Sequence, residues 1–130
     1  MTFTAAIKND MSAVGTLHDW LGAGLKPVAR ELSELRASVC VECPRHSKER
    51  FWYTLKTEVA LAIKKQVELK NKMKVETTKD NQLGECEICG CVMLLKCHVP
   101  IKHIAENTSE SELQLFKEVE KCWVPKEISQ

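Results

Sequence analysis

The residues of this sequence best suited to chemistry are two Cys-x-x-Cys pairs, Cys40/Cys43 and Cys86/Cys89. Two thiolates three residues apart can both reach one ion from a single tight turn. Two such turns complete the four-sulfur set of a closed structural zinc site. Gly90, directly after the second pair, supports this reading, because a residue there often needs positive φ so that backbone N–H groups can face the sulfurs. The expected ligands of a structural Zn2+ are therefore Cys40, Cys43, Cys86 and Cys89. Forty-two residues separate Cys43 from Cys86, more than a compact zinc ribbon uses, so the chain must leave the site and return. A rival set, Cys86, Cys89, Cys91 and Cys122, stands on the same chemistry: Cys91 adjoins the second pair, and Cys122 can return from the C-terminal end. Cys97 reads as a packed thiol, and buried free thiols are the alternative to a metal for the whole set, since cysteine behaves as a small hydrophobe.

Composition bounds what surrounds these residues. The chain has 130 residues, 44% hydrophobic and 28% charged, which suits one globular domain. Only seven residues are aromatic, so the core is small and aliphatic, and a metal staple would help to hold it. A net charge of +1 gives no global field to attract nucleic acid or membrane. The N-terminal "MTFTAAIKNDMSAVG" lacks the basic-then-apolar pattern of a signal peptide. The longest strongly apolar run, "VMLL", is far short of the roughly 20 residues of a membrane helix. No membrane partner is expected, and a cytoplasmic location follows, in which paired cysteines mean metal more often than disulfide.

The elements that position the cysteines are mostly helical. Phe3, Ile7, Met11, Val14, Leu17 and Leu21 recur at helical spacing, and "LGAGLKP" breaks the pattern through Gly22 and Gly24. Pro27 suits the start of a second helix, with Val28, Leu32 and Leu35 on its apolar face and an end near Ala37. Ser47 can cap a long third helix carrying Trp52, Leu55, Val59, Ile63 and Val67, which fades over residues 71–76 into the polar loop "TTKDNQLGE". "VMLLKCHV" reads as a short strand ending at Pro100. Ser109 and Glu112 form a capping box ahead of a helix that should run to about Lys121, and Pro125 is a stop. The expected fold is α+β and predominantly α-helical. A helical hairpin over residues 1–38 precedes a zinc-stabilised unit over residues 39–130, in which a long helix lies between two knuckles, with a small β-hairpin-like unit.

"DWLGAGLKPV", "RASVCVECP", "CEICGCVMLLKCHVPIKHI" and "KCWVPKE", in that order, resemble small cysteine-rich proteins of tailed bacteriophages and prophages. The resemblance runs from about residue 19 to residue 127. It implies six recurrent cysteines, here Cys40, Cys43, Cys86, Cys89, Cys91 and Cys122, with Cys97 as an extra. It implies a phage origin, a place in the bacterial host cytoplasm or the virion, and zinc, but supplies no mechanism.

Three classes of function remain. The first is a protein-binding module, stabilised by zinc, that docks on a phage or host protein; no full catalytic constellation competes with it. The second is a nucleic-acid-binding protein: six lysines against Glu68 and Glu76 lie between Lys64 and Lys79, with Lys64, Lys65, Lys70, Lys72 and Lys74 as candidate phosphate contacts. A solvated helix face is the bland reading of that run, and five glutamates between Glu106 and Glu120 form an opposite pole. The third is a metal-dependent nuclease with His98 or His103 as base and Asn107 as the orienting residue. It lacks an acidic residue directly before His103 and a second Cys-x-x-Cys after it, and a closed cysteine set leaves no open catalytic position. The expectation is a binding protein without catalytic residues.

Overall fold

The N-terminal apolar periodicity forms helix α1, Phe3–Gly22. The structure, a computed structural model, describes residues 3–48 and 53–130, with side chains from residue 12 onward in the first stretch. The side chains of Phe3, Ile7 and Met11, and all of Trp52, lie outside the described set. Gly22 stays in the helix, and Gly24 is the breaker. It takes φ 103 while the Leu25 N–H donates to the Trp20 carbonyl at 3.0 Å, a Schellman-type end. Leu25 follows at φ 58, costly for a residue with a side chain. Its side chain is buried, and its carbonyl accepts from Asn71 Nδ2 at 2.9 Å, which holds the turn in place.

Pro27 does not open the second helix. The Val28 N–H instead donates to the His98 carbonyl at 2.9 Å, and α2 runs Arg30–Val41, four residues past its expected end. Its expected apolar face is also corrected. Leu35 is 59% exposed, while Ser33, Arg36 and Ala37 are buried. Arg36 takes a core position because its partners come from the far end of the chain. Its Nε and Nη2 reach Glu127, and Nη1 donates to the carbonyls of Cys97 and Val99.

After α2 the chain forms β1, His46–Ser47, which pairs antiparallel with β2, Glu85–Cys86, placing His46 opposite Cys86 and Ser47 opposite Glu85. Ser47 thus lies in a strand, and the approach to the third helix falls outside the described residues. Helix α3, Tyr53–Asn71, buries Ala60 and Val67 and leaves Leu55 and Val59 on the outside. It ends sharply at Lys72, with φ 54, and the Met73 N–H donates to Glu68 O at 3.2 Å. The loop beyond holds one short turn of 3₁₀ helix, Asp80–Gln82.

"VMLLKCHV" is helical, not a strand: α4 spans Met93–Lys96, and all four of its residues are buried. A short apolar run cannot separate a buried strand from a helix buried on every side. Three further helices close the chain: α5, Ile101–Glu106; α6, Glu110–Lys117; and α7, Trp123–Ile128. Ser109 and Glu112 make the expected capping box on α6, which stops four residues short of Lys121. Pro125 does not stop the chain; it occupies the first turn of α7, where its missing N–H has no helical partner to lose. The described residues are therefore mostly helical, with one two-stranded antiparallel sheet among them.

Helix α1 packs on α5, α3 on α4, and α5 and α6 on α7. The segment from Leu83 to Val99 is buried almost throughout, so the cysteine-rich stretch runs through the centre of the fold. No described helix is long and apolar enough to cross a membrane.

Candidate metal centre

The β1–β2 pairing brings the two Cys-x-x-Cys pairs together. The Glu87 N–H donates to the Arg45 carbonyl at 2.8 Å, and the Gly84 N–H donates to His46 Nε2, so the segment after Cys43 is stitched to both sides of Cys86. Around the second pair, the Gly90 N–H donates to Cys86 O at 2.8 Å and the Cys86 N–H to Cys91 O at 3.0 Å, closing a tight turn. Gly90 has φ 74, as its position after the pair led us to expect.

Cys40, Cys43, Cys86 and Cys122 line one cavity of about 30 Å3, together with His46, Lys96 and Trp123. These four sulfur residues come from the last turn of α2, the loop after it, β2, and the residue capping α7. Several N–H groups point at sulfur. Trp123 Nε1 donates to Cys40 Sγ at 3.2 Å, and the Arg45 N–H to Cys43 Sγ at 3.4 Å. The backbone N–H groups of Cys89 and Val124 serve Cys86 and Cys122 in the same way. Such donors stabilise thiolate charge.

Cys89 does not line this cavity. Lys96 Nζ donates to its Sγ at 2.9 Å, with both side chains buried. Burial opposes ionisation of Cys89, but hydrogen bonds from Cys86 and Cys91 and the Lys96 ammonium together hold its thiol well below the ordinary range. The hydrogen bond to Cys89, with burial, raises Cys86 and Cys91 well above that range. Cys40 is raised by its hydrogen bond to Cys97 and by burial, Cys43 mainly by burial, and burial pushes Cys122 to about 11. Lys96 itself would be lowered by burial, yet the sulfurs of Cys89, Cys91 and Cys86 raise it well above the usual lysine value.

Among the described residues, no group of three or more His, Cys, Asp or Glu side chains is disposed to hold a metal ion. The chemistry of the donors nonetheless suits one: thiols from three chain segments and N–H groups aimed at sulfur, around one small cavity. The ammonium of Lys96 sits where negative charge collects, and its field reaches Cys40, Cys86, Cys89, Cys91 and Cys122. Of the two ligand sets read from sequence, each has members on this cavity, and Cys89 of both sets is hydrogen-bonded to Cys86 beside it. The cavity combines Cys40, Cys43 and Cys86 of the first with Cys122 of the second, while Cys91 packs beside Cys89.

Lys96 was not singled out by sequence reasoning. Its signal was present, as the one charged residue inside an apolar run. It also stands over the Phe116 ring at 4.7 Å from the centroid, which helps an ammonium tolerate burial. Cys97 is fully buried, in keeping with a packed thiol.

The other candidates separate by exposure. Lys64 pairs with Asp80 at 3.2 Å, whereas Lys65, Lys70, Lys72 and Lys74 are exposed. His98 and His103 are buried, and neither lines the cysteine cavity. Asn107 Nδ2 donates to the His103 carbonyl and to Asp19, so it braces α5 against α1 and does not orient an imidazole. No protein-family model, curated protein or solved structure matches the chain.

Proposed function

We propose that this chain is a zinc-stabilised protein-binding module, phage-encoded, that docks on a host protein or on a component of the phage particle. The observation that carries the binding reading is an open apolar groove of about 430 Å3, walled by α1 and α3 and floored by the segment from Val92 to Val99. Val14, Leu55 and Val59 stand on its rim at 64%, 56% and 50% exposure, more apolar surface than a short chain gains by leaving in water. Supporting zinc are the convergence of cysteines from three segments and the N–H donors that face them. In this reading Cys40, Cys43, Cys86 and Cys122 hold the ion, which supplies cross-linking of distant segments and no catalysis. Lys96, paired with Cys89, offsets the surplus negative charge of four thiolates from the neighbouring position.

Two measurements test the reading. Protein purified without chelators should carry one zinc per chain by elemental analysis; Cys86→Ser and Cys122→Ser should lose it, and Cys97→Ser should keep it. Metal-free protein with all seven thiols free, or undiminished zinc in Cys86→Ser, would remove the metal from the proposal. For binding, a photo-reactive residue at Val59 should trap one discrete protein in host cells, and the same residue at exposed Glu106 should not. No product at Val59 would sink the module reading.

A further inference from the structure

Three reactive side chains that the proposed zinc ligands leave unused lie together beside the cavity: Cys89, Cys91 and Lys96. All three are buried. Lys96 Nζ donates to Cys89 Sγ at 2.9 Å, and among the described residues this is the hydrogen bond the ammonium makes; no carboxylate there pairs with it. Its Nζ stands over the Phe116 and Trp123 rings, 4.7 and 5.7 Å from their centroids. A buried ammonium is too costly to leave without an anion, so this contact makes Cys89 the sulfur half of an ion pair.

A sulfur so placed needs a second thiol before it can close a disulfide, and both Cys86 and Cys91 hydrogen-bond to it. Cys86 faces the cavity with Cys40, Cys43 and Cys122, whereas Cys91 faces the open groove between α1 and α3. Gly90 alone separates Cys91 from Cys89, and its φ of 74 bends the chain there. A pair two residues apart on such a bend can meet the short Cα separation that a disulfide requires. Lys96 lines the same groove as Cys91, so the groove is the path by which a reactant arrives. That reactant must be small, because Cys89 is 3% exposed and Cys91 8%. We infer that Cys89 and Cys91 are a peroxide-reactive dithiol, with Cys89 as the attacking sulfur, Cys91 as the resolving sulfur and Lys96 as the positioning cation. Cys89 Sγ attacks one oxygen of the peroxide, the O–O bond breaks, and the departing hydroxide takes a proton from solvent to become water. Cys91 Sγ then attacks the resulting Cys89 sulfenic acid, its S–O bond breaks, and a second water leaves with the Cys91 proton as the S–S bond forms. The two thiols are oxidised and the peroxide is reduced. The choice of Cys91 over Cys86 rests on the zinc reading above, in which the metal occupies Cys86.

The test uses the full chain purified without chelators. It is exposed to a small excess of hydrogen peroxide, denatured, alkylated and cut with trypsin, which releases residues 80–96 as one peptide. That peptide should become lighter by two hydrogen atoms, with Cys86 alkylated and Cys89 joined to Cys91, before any other cysteine is lost. In Cys91→Ser the reaction should stop at the sulfenic acid, which dimedone traps on Cys89. Lys96→Met should slow oxidation by about tenfold or more, and Lys96→Arg, which keeps a cation, should restore most of the rate. If circular dichroism shows that Lys96→Met has not folded, dimedone trapping in Cys91→Ser, with the lysine intact, decides. Zinc, measured on the same samples, should remain bound after oxidation and in Cys89→Ser. A Cys86–Cys89 disulfide, first oxidation at another cysteine, an unchanged rate in folded Lys96→Met, or loss of zinc from Cys89→Ser overturns the inference. If the untreated protein holds no zinc and Cys89 still pairs with Cys91, the zinc reading falls and the dithiol stands.

Discussion

Replacing Arg36 should be among the most damaging single changes in this protein. The guanidinium is fully buried and makes four hydrogen bonds: to Glu127 at 3.0 and 2.6 Å, to Cys97 O at 3.1 Å and to Val99 O at 2.7 Å. It also lies over the Trp123 ring, 4.3 Å from the centroid. Through these contacts it joins α2, the end of the cysteine-rich segment, and α7. Arg36→Met keeps the aliphatic volume but leaves a carboxylate whose side chain is 13% exposed, and two carbonyls, without their partner. Breaking a buried pair from one side costs about 3–5 kcal/mol. The residual access of water to Glu127 places the expected loss near the lower end, about 3 kcal/mol. In equilibrium urea unfolding, followed by tryptophan fluorescence and far-ultraviolet circular dichroism, that is a fall in midpoint of roughly 2 M at an ordinary slope. Arg36→Met combined with Glu127→Gln should recover part of the loss, because the stranded charge is gone. A loss under about 1 kcal/mol, or strict additivity of the two changes, would refute the claim that a buried ion pair closes the fold.

Other consequences are as direct. Burial lowers His98 to about 4, so its contribution to stability is complete above the unfolded value of 6.5 and is lost as pH falls from there toward 4. The linked loss is about 3 kcal/mol, and denaturation of the parent and His98→Gln at pH 7 and pH 4.5 should show a shallower dependence in the variant. Lys72→Gly should stabilise by about 1 kcal/mol, since φ 54 is strained for lysine and free for glycine; a lower melting temperature would contradict the left-handed cap on α3. Gly84→Ala should cost about 2–3 kcal/mol, because a Cβ there would collide with the Ser47 carbonyl and force β1 from β2. Under the zinc reading proposed above that variant should also take up less of the metal, and unchanged stability would argue against the observed pairing.

Much of this protein was decided by short-range chemistry and so can be read from its sequence. The helical period of α1, the Ser109–Glu112 box, and positive φ at Gly24 and Gly90 all arise within a few residues of where they act. What lay beyond reach depends on partners far away in the chain. Arg36 occupies the core where Leu35 was expected, because Glu127 and two carbonyls sixty or more residues on receive its hydrogen bonds. "VMLLKCHV" is a helix because neighbours cover every side of it, which no period in eight residues reveals. The cysteine pairs were legible as pairs, but their meeting depends on two two-residue strands, and the turning of Cys89 toward Lys96 depends on a buried ammonium that must find an anion. Sequence alone named the residues that could share a centre; tertiary structure chose which of them face one cavity, because burial makes each charge depend on whatever lies beside it in space.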